Sequence, residues 1–325
     1  MEALIEPLTR LAQRKLGGDA IAGLTRLSAG ATQEIWRFGV FRGDVETPVI
    51  LRRAPGGVRV SDAAVGLATE ASLLEAAGRA GVPVPQVLCV LADEDGLGHG
   101  FVMEFVEGET LGGRIARGEA LAGARPHLAR QCGEILARIH TLDPGDFPTL
   151  RRATPAELVA QYRTSYEASA WPRPVLDLTF RWLETRCPPP PERPRLVHGD
   201  FRNGNLMIGP DGVRAVLDWE IAHVADPMED LGWLCTNAWR FGVLDKPVGG
   251  FGEREELWAG YEAAGGDPVN RAHAHWWEVY GSMRWGVMCV GMTAAFRTAD
   301  PSVERSVIAR RVSENELDLM RLIAA

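Results

Sequence analysis

Apolar positions along this chain follow two regimes. Residues 2–15 place Leu4, Leu8 and Leu11 at helical spacing and run into Gly17-Gly18, a helix stop. Short strand-like runs follow at 23–28, 34–40 and 47–53, with Gly30 and Gly43-Asp44 at the turns between them. Residues 62–79 return to the helical period and close at Gly81, and Pro83-Val84-Pro85 leads into strands near 87–91 and 100–106. The pattern predicts a small antiparallel sheet with one long helix.

Beyond Gly108 helical spacing dominates, over 124–141, 155–169, 174–187, 227–240, 252–264, 273–292 and 302–323. Every one of the ten tryptophans except Trp36 falls in this part, so its core is large and aromatic. The expected class is α+β, with a small N-terminal lobe over 1–106, a helical C-terminal lobe over 107–325 and a ligand cleft between them. Cys187 and the four prolines after it form a stiff connector into a polar region that interrupts the helices.

Composition narrows the partners. A net charge of -8 with no basic stripe argues against a nucleic-acid partner. No run approaches the roughly 20 apolar residues that span a bilayer, so no membrane partner is expected. The N-terminus carries acidic residues at once and does not read as a signal peptide. Five scattered cysteines without a CxxC pair fit a reducing compartment rather than a zinc site, and a cytoplasmic protein is expected.

The chemistry lies between Leu196 and Trp233. His198-Gly199-Asp200 follows a short apolar run, Asn205 stands five residues after that aspartate, and Asp218 sits in Leu-Asp-Trp-Glu. A carboxylate placed as a base, with an amide and a second carboxylate as hard-oxygen ligands, is the set that metal-assisted phosphoryl transfer requires. Asp200 would take the proton of an acceptor hydroxyl, and Asn205 and Asp218 would hold Mg²⁺. Alone, His-Gly-Asp is as compatible with a plain turn; with Asn205 and Asp218 at this spacing it is not. Glu220 is a further candidate for metal or substrate. Asp226, Pro227 and Glu229 read as a helix cap with its capping box, and His140 as a helix-terminus residue.

HGDFRNGN and LDWE resemble the catalytic and metal loops of the aminoglycoside phosphotransferase and choline kinase family, which shares the protein-kinase fold. The likeness covers nearly the whole chain. It is closest to a subgroup that includes the kinase-like domain fused to some acyl-CoA dehydrogenases. The resemblance implies a two-lobe kinase-like fold with ATP, or GTP, and Mg²⁺ as cofactors. It makes Asp200 the catalytic base, Asn205 and Asp218 the metal ligands and His198 a support for the loop. Arg52 occupies the place of the family's phosphate-binding basic residue, where lysine is usual, with Glu70 as its expected helix partner and Glu75 as the runner-up. A phosphate-covering loop would use Ser28, Gly30 and Thr32, although an ordinary hairpin turn reads equally well there. The adenine edge would meet the backbone of Glu104 and Val106, with Met103 lining the pocket.

Only seven residues separate Asp218 from Asp226, too few for the activation segment that a protein kinase uses to bind a peptide. A small-molecule hydroxyl acceptor is therefore expected. Mixed charge from 227 onward does not suggest a pocket for polycationic aminoglycosides, which favours an uncharged or anionic metabolite such as a hydroxyacyl compound. Arg284, in the middle of an apolar helix, would need an anion: an internal carboxylate, Glu229 or Asp230, or a group on the acceptor. The alternative reading is a catalytically silent nucleotide-binding module serving a partner enzyme.

Overall fold

The computed structural model describes residues 2–27, 33–55, 64–296 and 303–324. The chain divides into two compact units, one of residues 1–108 with 214–222, the other of 109–213 with 223–325. Residues 214–222 thus belong with the first unit, not with the 107–325 lobe expected from the sequence. Their hydrogen bonds explain this: the Val216 amide donates to Pro83, and the Val65 amide donates to the Glu220 carbonyl.

In the first unit, α1 (Glu2–Leu11) continues as a π-helical turn over Ala12–Leu16 and stops at Gly17, whose φ of 66° suits glycine. Next come β1 (Ala20–Arg26), β2 (Glu34–Arg42), β3 (Val45–Ala54), α2 (Leu67–Arg79), β4 (Val87–Val90) and β5 (His99–Glu104). The sheet is antiparallel with order β1-β2-β3-β5-β4. Strand alternation divides β3 between two faces. Val49 and Leu51 join Phe38, Val102 and the α1 leucines in one core, whereas Arg52 turns to α2.

The second unit holds α3 (Gly112–Arg117), α4 (Arg125–Ile139), α5 (Pro155–Ala168), α6 (Pro174–Thr185), β6 (Arg195–Val197), β7 (Leu206–Gly209) and the start of β8 (Gly212–Val216). It resumes with β9 (His223–Ala225), α7 (Met228–Cys235), α8 (Arg254–Ala263), α9 (Arg271–Met292), α10 (Val303–Ala309) and α11 (Val312–Ala324). Strands β6 and β9 pair antiparallel, Val197 opposite His223. As its sequence predicts, α9 is buried on nearly every face from Ala274 to Val290, and α5, α6, α7, α10 and α11 pack around it. Two expected helices are interrupted. The 227–240 stretch ends its α-helix at Cys235, because Thr236 has extended ψ, and resumes as a 3-10 turn. The 302–323 stretch breaks between Ala309 and Val312.

Candidate active site

The second unit holds the His198-Gly199-Asp200 loop. Past β6, Gly199 turns the chain with φ of 79°, and Asp230 of α7 receives the amides of His198 and Gly199, each at 2.8 Å. Burial opposes charge on Asp230, but the His140 ring and these amides outweigh it and hold its carboxyl below the usual range. His140 Nε2 lies 3.2 Å from Asp230 and its Nδ1 2.9 Å from the Tyr261 hydroxyl. It is therefore an anchor for the loop as well as a helix-end residue. His198 is buried, and its Nδ1 accepts the Asp200 amide at 3.2 Å.

The Asp200 carboxylate is oriented on both oxygens. Oδ1 accepts from Trp233 Nε1 at 2.8 Å and from Arg202 Nε at 3.0 Å; Oδ2 accepts from Asn205 Nδ2 at 2.7 Å. Because the Asn205 nitrogen also donates to the Asp200 carbonyl, its side-chain oxygen is the group left for a cation. Arg202 lies 4.5 Å over the Trp239 ring, and Asn203 ties the loop to the Trp239 and Gly249 carbonyls at 2.9 and 2.6 Å.

Arg284 is buried. Its Nη1 donates to the Gly199 carbonyl at 2.9 Å and lies 3.6 Å from Glu229, while the guanidinium stands 4.1 Å over the Trp233 ring. Burial would depress its pKa, yet the surrounding Tyr162, Tyr280, Glu229 and Asp200 raise it. Its partners are thus internal. Glu229 lies against His223 at 3.1 Å as well, so its carboxylate points into the core instead of closing the expected capping box. Asp226 still caps, accepting the Met228 amide at 2.9 Å.

The first unit gathers the other polar set. Arg52 reaches Glu70 at 3.2 Å, Asp218 at 2.7 Å and Glu220 at 3.2 Å, and its Nε donates to Gln33 at 2.8 Å. Burial, with the Asp218 and Glu220 charges, pushes the Glu70 carboxyl up to about 7 against the pull of Arg52. Glu75 is exposed and is not the partner. Asp218 holds a left-handed φ of 65°, unusual for an aspartate without a specific role. At the end of β5 the Glu104 amide is committed to the Gln86 carbonyl at 2.9 Å, while Met103 pairs with Ile50 and Val106 lies just past the strand. Ser28, Gly30 and Thr32 lie outside the described residues.

Among the described residues no cluster of three or more His, Cys, Asp or Glu is placed to hold a metal. Asn205 and Asp218 nevertheless have the donor chemistry that suits Mg²⁺, which is held by few protein oxygens and completed by phosphate and water. Sequence reasoning missed Trp233, Arg202 and Gln33. Arg202 was legible as the residue two past Asp200, whereas nothing in the sequence ties Trp233 to Asp200.

An antiparallel N-terminal sheet followed by a helical portion, with an anchored His-Gly-Asp loop, defines the kinase-like fold of small-molecule phosphotransferases. The phosphotransferase enzyme family model matches residues 23–266, and the chain belongs to that family. Mouse acyl-CoA dehydrogenase family member 10 is 31% identical over 205 residues, covering 58% of this chain and 18% of that protein. Chicken acyl-CoA dehydrogenase family member 11 is 31% identical over 202 residues, covering 57% and 24%. The chain thus spans about a quarter or less of the length of these relatives. A putative aminoglycoside phosphotransferase from Ralstonia eutropha superposes with a TM-score of 0.75 at 22% identity over 98% of both chains. A thermostable mutant of aminoglycoside phosphotransferase APH(4)-Ia, solved with ADP and hygromycin B, superposes with a TM-score of 0.61 at 14% identity over 97% of both chains. No helix among the described residues is long and apolar enough to cross a membrane.

Proposed function

We propose that this chain transfers the γ-phosphoryl group of ATP, with Mg²⁺, to a hydroxyl of a small molecule. The observation that carries this reading is the Asp200 carboxylate, held on both oxygens in an anchored loop of a phosphotransferase-family chain. Asp200 orients the acceptor hydroxyl and takes its proton as the oxygen attacks. Asn205 and Asp218 supply oxygens to Mg²⁺, which when bound offsets charge on the phosphates. Arg52, kept charged by Glu70 and Asp218, is the phosphate-binding cation, and the backbone of Glu104 and Val106 meets the adenine, with Met103 beside it. Ser28, Gly30 and Thr32 are the proposed phosphate-covering loop. Glu220, already paired with Arg52, helps to set that guanidinium rather than to bind acceptor. The intact Asp200–Asn205 pair disfavours a catalytically silent module.

The acceptor class is a hydroxylated metabolite, uncharged or anionic. Likeness to acyl-CoA dehydrogenase proteins favours a hydroxyacyl compound, as the free acid or its CoA thioester, over the hygromycin B bound by APH(4)-Ia. The test is acceptor-dependent ADP release across hydroxyacyl compounds, sugars and aminoglycosides with Mg-ATP. One acceptor is expected to raise ADP release well above the rate with water, and Asp200→Ala to abolish that rise while ATP still binds. Full turnover by Asp200→Ala would refute the assignment of the base.

A further inference from the structure

We propose that Trp233 and Arg284 are positioning residues that hold the Asp200 carboxylate in its reactive orientation; this rests on the reading of Asp200 as the base. The helical period of α7 sets the arrangement. Asp230 and Trp233 stand three residues apart, so they project from the same face of the helix. Asp230 takes the backbone of the loop through the His198 and Gly199 amides, and Trp233 takes the Asp200 side chain through its indole N–H at 2.8 Å. One helix turn therefore fixes both the position of the base and its rotation about χ.

An indole can only donate, so the contact selects one direction for Oδ1 and cannot be reversed by rotating a hydroxyl or an amide. The indole is in turn fixed on both sides. Its ring meets Trp239 edge-on at 5.0 Å, and the Arg284 guanidinium covers it at 4.1 Å. Arg284 also donates to the Gly199 carbonyl, so a single planar cation ties the residue before the base to the ring that orients the base. Glu229 balances the buried cation, and its other oxygen faces His223. The Nη1 group is accounted for inside the protein by the Gly199 carbonyl and Glu229, while Nε is buried with no hydrogen-bond partner among the described residues. The aromatic and cationic groups packed around this loop thus act as a clamp.

The experiment uses the whole chain and phosphoryl transfer from Mg-ATP to water, or to an acceptor found by the screen above. Trp233→Phe, which keeps the ring and loses the donor, and Arg284→Lys, which keeps the charge and loses the planar cover, are each expected to lower kcat about 10- to 100-fold with the KM for ATP unchanged. In the Asp200→Ala background neither substitution should lower the residual rate further, because both act through the lost carboxylate. An indole N–H spectrum of the wild-type chain gives a second readout that does not depend on either variant folding. One of the indole resonances should move markedly on Asp200→Ala. Wild-type kcat in Trp233→Phe, an additive loss in the Asp200→Ala background, or no indole resonance responding to Asp200→Ala would each overturn the clamp. Full turnover by Asp200→Ala would instead sink the base assignment, and the clamp with it.

Discussion

At the scale of single residues, the backbone and charge of two acidic groups are informative. Asp218 combines a left-handed φ with an ion pair to Arg52. Glycine adopts that conformation without strain, so Asp218→Gly should be more stable than Asp218→Ala by about 1 kcal/mol, measured by urea unfolding. Both should lose Mg²⁺-dependent ATP binding, measured by calorimetry. Equal stability of the two would show that the backbone conformation carries no strain. Glu70 makes a different prediction. Its carboxyl is raised from the ordinary 4.5 to about 7, so the folded chain holds a proton there that the unfolded chain releases. Its contribution is most favourable below pH 4.5 and is lost progressively up to pH 7. Between those values wild type should lose up to about 3 kcal/mol relative to Glu70→Gln, which has no proton to release. Parallel stability curves for the two chains would contradict this.

At the scale of elements, helix α5 begins with a Thr154 cap and a reciprocal Glu157 contact, with Pro155 at the first helical position. Thr154→Ala should cost about 1 kcal/mol in chemical unfolding and leave turnover alone, since none of the hydrogen bonds that orient the Asp200 carboxylate involves Thr154 or Glu157. The crossing of α7 over α9 depends on Gly232, where an added Cβ would lie 2.6 Å from the Trp277 backbone. Gly232→Ala should destabilise by about 1–3 kcal/mol and also slow turnover, because it displaces Asp230 and Trp233 on the same helix. A variant with wild-type kcat would show that α7 tolerates the shift without moving the loop.

At the scale of the molecule, the five cysteines are all free. Cys132, Cys235 and Cys289 are buried, and burial pushes Cys235 and Cys289 up to about 12, whereas Cys89 and Cys187 are half-buried. A thiol reagent on the native chain should modify Cys89 and Cys187 first, as read by peptide mass spectrometry, and the other three only after unfolding. Early modification of Cys132 would place an opening in the α4–α8 core that the packing does not show.

Much of this protein was legible in its sequence because the relevant physics is local. Period-2 runs placed the strands of the small sheet. Glycine and proline punctuation placed the helix ends, Asp200 and Asn205 share one loop, and Asp218 follows the short strands β7 and β8. The family resemblance named Glu70 as the partner of Arg52, and the two form an ion pair. What only the tertiary structure decided are contacts between residues far apart along the chain. These include the break of the 227–240 helix at Thr236, the inward turn of Glu229 to His223 and Arg284, the 214–222 segment packing with the first unit, and the indole of Trp233 on Asp200. Helical spacing says which residues share a face, but not which buried polar group that face will meet. That choice follows from satisfying every hydrogen bond in the packed interior at once.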